Sequence, residues 1–552
     1  MRRPLTLLIF SFAAAACAPG AARAPKGPVA TVAAPTGAPA PSGDEEEGPP
    51  AAPREALAWA NLDAATFARA KAEHRFVVID GSAEWCHWCH VMEATTYHDP
   101  EVRKLLDARF VSVKVDVDSR PDFEERYVDW GWPATVLMTA DGAEIGKYKG
   151  YLPPEKFLEI LRSVIEQEDG KTGSVVGNAE DKTFPSSRLP VSPLTVGQMA
   201  EAAARVEKQL DAYWDQPQGG WGIKQKAPIA WDNAWALVHQ RDRALYTLDR
   251  QRGIIDPVWG GVCQYSTDGD WAHPHYEKLM TVQAGAIANY AQAYAITHDT
   301  AWLSTALLVR AFVDGFMTSP EGGFETTMDA DLNAHDPGKP FMAGRAYYAR
   351  SDAERRALGI PRVDAHEYGR ENGLAIAAYV TLYEASGDAT VLAAPKRAAA
   401  RILATHASDA FPGGITHGTK PDDEGKVLYL ADDAAFGWGL LRLYQATHDA
   451  QLLEAAKGIA GFLMRGLYDA QGGGFWASTP DPNAVGAFAV RRKPFEDDVM
   501  AVRFLALLDR VTSTREHADA TLRTLAVVTR PDAVDARGRM IGDLLLALDD
   551  VR

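Results

Sequence analysis

The sequence predicts a chain of two fold classes: an α/β domain over residues 54–168 and, over 196–552, an all-α domain whose helical hairpins close into an (α/α)6 toroid. Three observations carry this reading. Short β-branched runs alternate with helical patterns in the first region. In the second, a Tyr-to-Asp turn recurs between apolar helical stretches, and a Gly-Gly pair before an apolar residue recurs about one helical hairpin apart. The 552 residues, 47% hydrophobic and 24% charged, suffice for two or three cores and exclude wholesale disorder or a fibrous repeat. A net charge of −17, from 57 basic and 74 acidic residues, argues against a nucleic-acid backbone as the main partner. Four cysteines cannot build a disulfide framework, so a close pair needs a chemical explanation.

The N-terminus reads as an address. Arg2 and Arg3 precede an apolar run from Pro4 to Ala16, which as a helix would span only ~20 Å against a bilayer core of ~30 Å. This predicts a secretory signal peptide over 1–17. Its end, Ala14-Ala15-Ala16-Cys17, resembles a bacterial lipobox with Ala14 in place of the usual Leu, and predicts lipidation of Cys17. The alternative is cleavage at Ala22-Arg23-Ala24, just ahead of Pro25. Residues 18–52, rich in Ala, Pro and Gly and carrying Asp44-Glu45-Glu46-Glu47, read as a solvated tether. The expected location is the periplasm or cell envelope, with the membrane met only through the lipid anchor.

In the α/β domain, Phe76–Asp80 reads as a buried strand, Gly81–Cys89 as the break after it, and Val91 onward as helix. Phe110–Asp116 is a second strand, and Thr135–Thr139 and Glu144–Lys149 form a hairpin about Asp141-Gly142. Pro154–Gln167 closes the domain as a helix, and 169–195 follow as linker. This order is the thioredoxin arrangement. The chemistry concentrates in Trp85-Cys86-His87-Trp88-Cys89-His90. A Cys-x-x-Cys at a helix start puts its first sulfur beside unpaired N–H groups and the positive dipole end, which favours thiolate. Cys86 is then the attacking thiol and Cys89 the resolving one. His87 adds positive charge when protonated, and Trp85, His87 and His90 are expected to tune the pair. Pro133, in Trp132-Pro133-Ala134-Thr135, is the candidate cis-proline against the dithiol.

Three other readings fit part of this pattern. Cys86-x-x-Cys89-His90 matches a c-type haem attachment motif, but haem needs neither the flanking strand nor the later Trp-Pro-x-Thr. Cys86, Cys89, His90 and His98 could bind zinc, but a second cysteine pair is absent. A purely structural disulfide at this spacing closes too short a loop to stabilise much. The expectation is a redox-active disulfide with no other cofactor and no metal.

The strings CHWCHVME, KVDVDSRPD and WGWPATVLMTADG resemble the thioredoxin-like domain of the spermatogenesis-associated protein family, found also in many bacteria. The resemblance implies a long helical region, similar to sugar epimerases and six-hairpin glycosidases, after that domain. It continues in VWGGVCQYSTDGDWAHPHYEKLM, GGFETTMDADLN, ENGLAIAAY and LADDAAFGWGLLRLY. Arg120-Pro121-Asp122 matches the family's Arg-Pro-Asp. Two departures are Val282 in place of a usual Asp and the missing Pro-Ser-Gly-Asn stretch after RRKPFEDDVM.

In the toroid, Tyr294…Thr297-His298-Asp299 recurs as Tyr383…Ser386-Gly387-Asp388 and Tyr444…Thr447-His448-Asp449. The middle residue suits a left-handed helix stop and Asp the next N-cap. The Gly-Gly marks are Gly219-Gly220, Gly260-Gly261, Gly322-Gly323, Gly413-Gly414 and Gly473-Gly474. If the Tyr-to-Asp turns lie on one rim, the longer Gly-Gly segments return on the other. There they should gather Trp271, His273, His275, Glu277, Asp329, Asp331, Asp432 and Asp433 in a carbohydrate-sized bowl with acid–base groups. The competing role for each Asp is a helix cap, and for Cys263 that of a small buried side chain.

The leading expectation is therefore an exported thiol–disulfide oxidoreductase acting on protein or small-molecule disulfides, with the toroid binding substrate or partner. Two alternatives are a carbohydrate-active toroid, epimerase- or hydrolase-like, with an accessory thioredoxin-like domain, and a non-enzymatic binding scaffold. None involves nucleic acid.

Overall fold

Strand runs with apolar residues on both faces belong in the middle of a sheet, and two of the four strands obey this most fully. The computed structural model describes residues 57–128, 131–168, 190–336, 338–419 and 426–552. The expected signal segment with Cys17, the expected tether and residues 169–189 of the expected linker lie outside the described residues. The first domain runs α1 (Ala64–Ala72), β1 (Phe76–Ser82), α2 (His87–Thr95), α3 (Pro100–Arg109), β2 (Phe110–Asp116), α4 (Pro121–Tyr127), β3 (Ala134–Met138), β4 (Glu144–Lys149) and α5 (Pro154–Glu168). The sheet order is β2-β1-β3-β4, with β1/β2 parallel and the other pairs antiparallel. Val77, Ile79, Val113, Val115 and Val136 pack on one face with Trp85, Cys86 and Cys89. Phe76, Val78, Phe110 and Leu137 pack on the other with Leu106, Phe157 and Leu161. This is the period-2 alternation of a sheet covered on both sides.

Two boundaries differ from the sequence reading. β1 continues through Gly81 to Ser82, because glycine lets Phe123 pack against the strand where a Cβ would overlap its ring. Helix α2 begins at His87 rather than Val91, because the Cys86 sulfur caps its first turn. The Trp132–Pro133 peptide is cis. It leads into Ala134, which pairs with Gly81 just ahead of the dithiol.

The second domain contains α6 (Val196–Tyr213), α7 (Ala230–His239), α8 (Arg241–Gln251), β5 (Tyr265–Ser266), β6 (Pro274–His275), β7 (Lys278–Leu279), α9 (Met280–Thr297) and α10 (Thr300–Phe316). It continues with β8 (Thr327–Met328), α11 (Gly344–Tyr348), α12 (Asp352–Leu358), β9 (Val363–Asp364), α13 (Gly369–Ser386), α14 (Ala393–Thr405), α15 (Leu430–Thr447) and α16 (Ala450–Phe462). Last come α17 (Phe495–Thr512), α18 (Ala518–Val528), α19 (Pro531–Arg537) and α20 (Gly542–Val551). Helices α7, α9, α13, α15, α17 and α20 each pack on the next, and α20 returns to α7. They form a closed inner ring. Helices α8, α10, α14, α16 and α18 pack outside their predecessors, and α6 pairs with α20, so the first helix completes the last hairpin. This is an (α/α)6 toroid. Inner helices approach most closely where side chains vanish: a Cβ at Gly373 of α13 would overlap the Ala435 backbone of α15.

Both recurring sequence marks acquire a physical meaning. His298, Gly387 and His448 adopt left-handed backbone conformations, and Asp299, Asp388 and Asp449 accept N–H groups from the next turn. After each Gly-Gly pair, Trp221, Val262, Phe324, Ile415 or Phe475 forms a β-bridge back to the end of the preceding outer helix. In four cases the fourth residue of an inner helix accepts the backbone N–H of that apolar residue: Gln283 from Val262, Asn372 from Phe324, Asp433 from Ile415, and Asp498 from Phe475.

Both domains lie within the unit Gly48–Arg552. The first sits on the long-loop rim of the second. Phe488 stacks on Phe123 at 6.2 Å, the Ala487 N–H donates to the Gly142 carbonyl at 2.9 Å, and Arg126 donates to the Val490 carbonyl. No helix among the described residues is long and apolar enough to cross a membrane.

Candidate active site

Cys86 is the N-cap of α2, with extended backbone, and its Sγ accepts the Cys89 N–H at 3.2 Å. The two cysteines form a disulfide with Cα atoms 5.2 Å apart. Cys86 is 4% and Cys89 6% exposed, so a partner cannot reach the sulfurs broadside. Trp85 is buried beside them and donates its indole N–H to Asp118 at 2.6 Å. Asp80 is buried in β1; desolvation pushes its carboxyl up to about 6, against the pull of the Lys114 charge.

The histidines of the motif are held by the toroid. Asp329 and Asp331 follow β8 in the small sheet β7-β8-β9. Asp331 is fixed by accepting the Gly344 N–H at 2.8 Å, and its other oxygen meets His87 Nδ1 at 2.7 Å and His90 Nδ1 at 3.4 Å. Burial opposes a charge on His90, but the Asp331 hydrogen bond and the Asp329 and Asp331 charges outweigh it and raise its pKa to about 9. His87 is raised for the same reason, with Glu277 adding to the pull. Asp331, although buried, is held well below the usual carboxylate range by the two histidines, whereas burial pushes Asp329 up. Glu277 accepts the His87 backbone N–H at 3.4 Å, and His275, stacked on Tyr265 at 4.2 Å, stands 3.9 Å from it. Five of the sequence candidates, His87, His90, Glu277, Asp329 and Asp331, thus converge on the dithiol.

A second cluster fills the toroid mouth. Arg120 forms a two-pronged ion pair with Asp122 at 2.8 and 2.6 Å and donates to the Leu62 carbonyl, which shapes the loop leading into α4. That loop meets His417, whose Nε2 donates to the Asp118 carbonyl at 2.8 Å while Nδ1 lies 2.9 Å from Asp432. Arg370 reaches Glu124 at 3.1 and 3.2 Å. The resulting cleft is lined by Asp118, Glu124, Tyr368, Glu371, His417 and Asp432 among others. Burial opposes a charge on His417, but Asp432 and the Asp118 carbonyl raise its pKa to about 9.

Three candidates stand elsewhere. Asp433, next to Asp432, faces away from the cleft and accepts the Ile415 N–H instead. Trp271 is buried with its indole N–H on the Gln218 carbonyl, and His273 is an outer side chain paired with Asp270 at 3.0 Å. The zinc set Cys86, Cys89, His90, His98 is not assembled: the two cysteines are joined to each other, and His98, in the turn after α2, puts Nδ1 on the Glu93 carbonyl. His90, Asp329 and His335 instead bring ligand atoms within 4.8 Å of one another. Cys263 is buried, its sulfur 3.2 Å from Lys278 Nζ. Sequence reasoning missed Asp80, Asp118, His335, Arg370 and His417. His335 follows Asp331 in the string DADLNAH, and His417 follows the Gly413-Gly414 mark, so both lay beside recognised features.

Residues 51–182 match the family model Thioredox_DsbH, described as a protein of unknown function, DUF255. Spermatogenesis-associated protein 20 of Homo sapiens is 29% identical over 336 residues, 54% of this chain and 42% of that protein. The chain therefore spans less than half the length of this relative. The thiol:disulfide interchange protein DsbD of Neisseria meningitidis is 31% identical over 87 residues, 15% of this chain and 14% of that protein. A solved D-mannose isomerase is similar at 11% identity and a TM-score of 0.49, over 65% of this chain and 97% of that one. The chain is thus similar to the DsbH-type thioredoxin-like family over its first domain, and to spermatogenesis-associated protein 20 over about half its length.

Proposed function

We propose that the protein is a thiol–disulfide oxidoreductase whose dithiol works under the rim of its own toroid. One observation carries the reading: the Cys86 sulfur stands at the amino end of α2, accepts the Cys89 N–H, and is joined to Cys89. In the reduced protein the Cys86 thiolate attacks one sulfur of a substrate disulfide and the other leaves as a thiolate. Cys89 then attacks Cys86 in the mixed disulfide. The substrate gains two electrons, the pair is oxidised, and an external dithiol restores it. The name of the DsbD relative agrees with this chemistry. Substrate must approach along His87 and Trp88, which are half-buried, so small or extended disulfides fit better than a rigid protein surface. With dithiothreitol as reductant, Cys86→Ser should abolish reduction of insulin and of a small aromatic disulfide. Equal rates in wild type and variant would end the proposal.

The polar cleft at the toroid mouth favours a second reading, a carbohydrate-active toroid, because Glu371 is buried there with Oε2 unpaired beside His417 and Asp432. It predicts that Cys86→Ser spares turnover of a sugar while Glu371→Gln removes it. Export with a lipid on Cys17 belongs to the leading proposal and is tested by metabolic labelling with palmitate in the wild type and Cys17→Ala.

A further inference from the structure

We propose that His90 Nε2, His335 Nε2, Asp329 Oδ2 and the Glu84 carbonyl oxygen form a binding site for a divalent first-row transition ion of the Zn2+ type, clamping the two domains together beside the dithiol. The inference does not rest on the oxidoreductase reading and survives its failure.

The His90, His335 and Asp329 ligand atoms lie within 4.8 Å of one another, with the Glu84 carbonyl beside them. In the metal-free chain the Glu84 carbonyl accepts the His90 Nε2–H at 2.9 Å and the His335 Nε2–H at 2.6 Å, and both protons leave as the ion binds. Asp329 Oδ2 lies 3.3 Å from His335 Nε2 and 3.9 Å from His90 Nε2. Tetrahedral ligands at ordinary Zn–N and Zn–O lengths stand roughly 3.3 Å apart, and these four separations bracket that value. Asp329 is 2% exposed, and its Oδ2 makes no well-aligned hydrogen bond, facing only the two imidazole Nε2 atoms of His335 and His90. Its other oxygen is held by the Asp331 N–H at 2.8 Å, which fixes the carboxylate plane.

The surroundings supply what a metal-bound imidazole requires. A ligating histidine donates its other ring N–H to a fixed acceptor, usually a carboxylate. His90 Nδ1 faces Asp331 at 3.4 Å, and Asp331 is itself anchored by Gly344. The His90 and His335 rings meet edge-on at 4.8 Å, and both Nε2 atoms reach the same Glu84 carbonyl. Two imidazoles, one carboxylate and a carbonyl suit a borderline ion better than Ca2+ or Mg2+, which take oxygen ligands. The half-exposed His335 provides the route in. Glu84 and His90 come from the first domain and Asp329 and His335 from the second, so bound metal opposes their separation.

The test uses the full chain, stripped of metal with a chelator and with the Cys86–Cys89 disulfide intact. Zn2+ is titrated by calorimetry and Co2+ by visible absorption. The expected result is one ion per chain, Co2+ ligand-field bands of a low-coordinate N/O site with no sulfur charge-transfer band, and a rise in melting temperature with Zn2+. His335→Ala and Asp329→Asn should remove all three. Asp331→Asn should weaken binding about 10–100-fold. His273→Ala, which alters an exposed His–Asp cluster, should change nothing. His335 is partly exposed, and the metal-free melting temperature of its variant reports whether it folds; Asp331→Asn provides the second reading if it does not. Absence of stoichiometric binding, binding that survives His335→Ala, binding lost with His273→Ala, or a sulfur-to-cobalt band would each overturn the site.

Discussion

His417→Gln isolates the strap that ties the loop ahead of α4 to the toroid. His417 is buried, stacked on Tyr368 at 3.9 Å, and joined to Asp432 and the Asp118 carbonyl. Its pKa of about 9 stands above the 6.5 of an unconstrained histidine, and each tenfold change in proton affinity is worth about 1.4 kcal/mol. The protonated strap therefore stabilises the folded protein by about 3 kcal/mol. A cationic group with a raised pKa contributes fully below pH 6.5, and its contribution is lost as pH rises through about 9. Urea unfolding of wild type and variant should show a stability gap that shrinks by about 3 kcal/mol between pH 6 and pH 10. The other histidines titrate in both proteins and cancel in the difference. Amide exchange of residues 117–124 and 415–418 gives a local readout if the two domains unfold separately. A gap that stays constant with pH would refute the charged pairing.

Other positions give independent checks. Asp433→Asn should cost under about 1 kcal/mol, because the Ile415 N–H needs only an acceptor there and Asn372 does the same work in α13. Asp433→Leu should cost about 1–3 kcal/mol by leaving that N–H unpaired; equal melting temperatures for the two variants would contradict the cap. Gly486→Ala should loosen the domain junction, since Gly486 has φ 57° and a Cβ would overlap the Gly142 carbonyl; faster proteolysis or amide exchange around residues 139–143 is the measurement. Trp85→Phe removes the indole donor to Asp118 and should cost about 0.5–1.5 kcal/mol, the range of a bond to a neutral acceptor, because burial and the Asp116 charge push the Asp118 carboxyl well up, and unchanged urea unfolding would show the bond to be dispensable.

The α/β order, the dithiol at a helix start and the hairpin architecture were legible because each rests on local chemistry: strand alternation, a capping sulfur, a left-handed stop before an Asp cap. The cis bond at Pro133 was legible from its place after Trp132 and before β3. The toroid rim was legible as a place, and the pairing of His87 with Asp331, 244 residues apart, was not. That contact depends on how the first domain docks, which no local pattern encodes. Asp432 and Asp433 make the same point within one helix. Adjacent residues on a helix face directions about 100° apart, and the rotation of α15 in the ring sent Asp432 to the mouth and Asp433 to the Gly-Gly loop. The order of residues determined which groups could carry chemistry; helix rotation and domain docking, set by packing across distant segments, decided which of them meet.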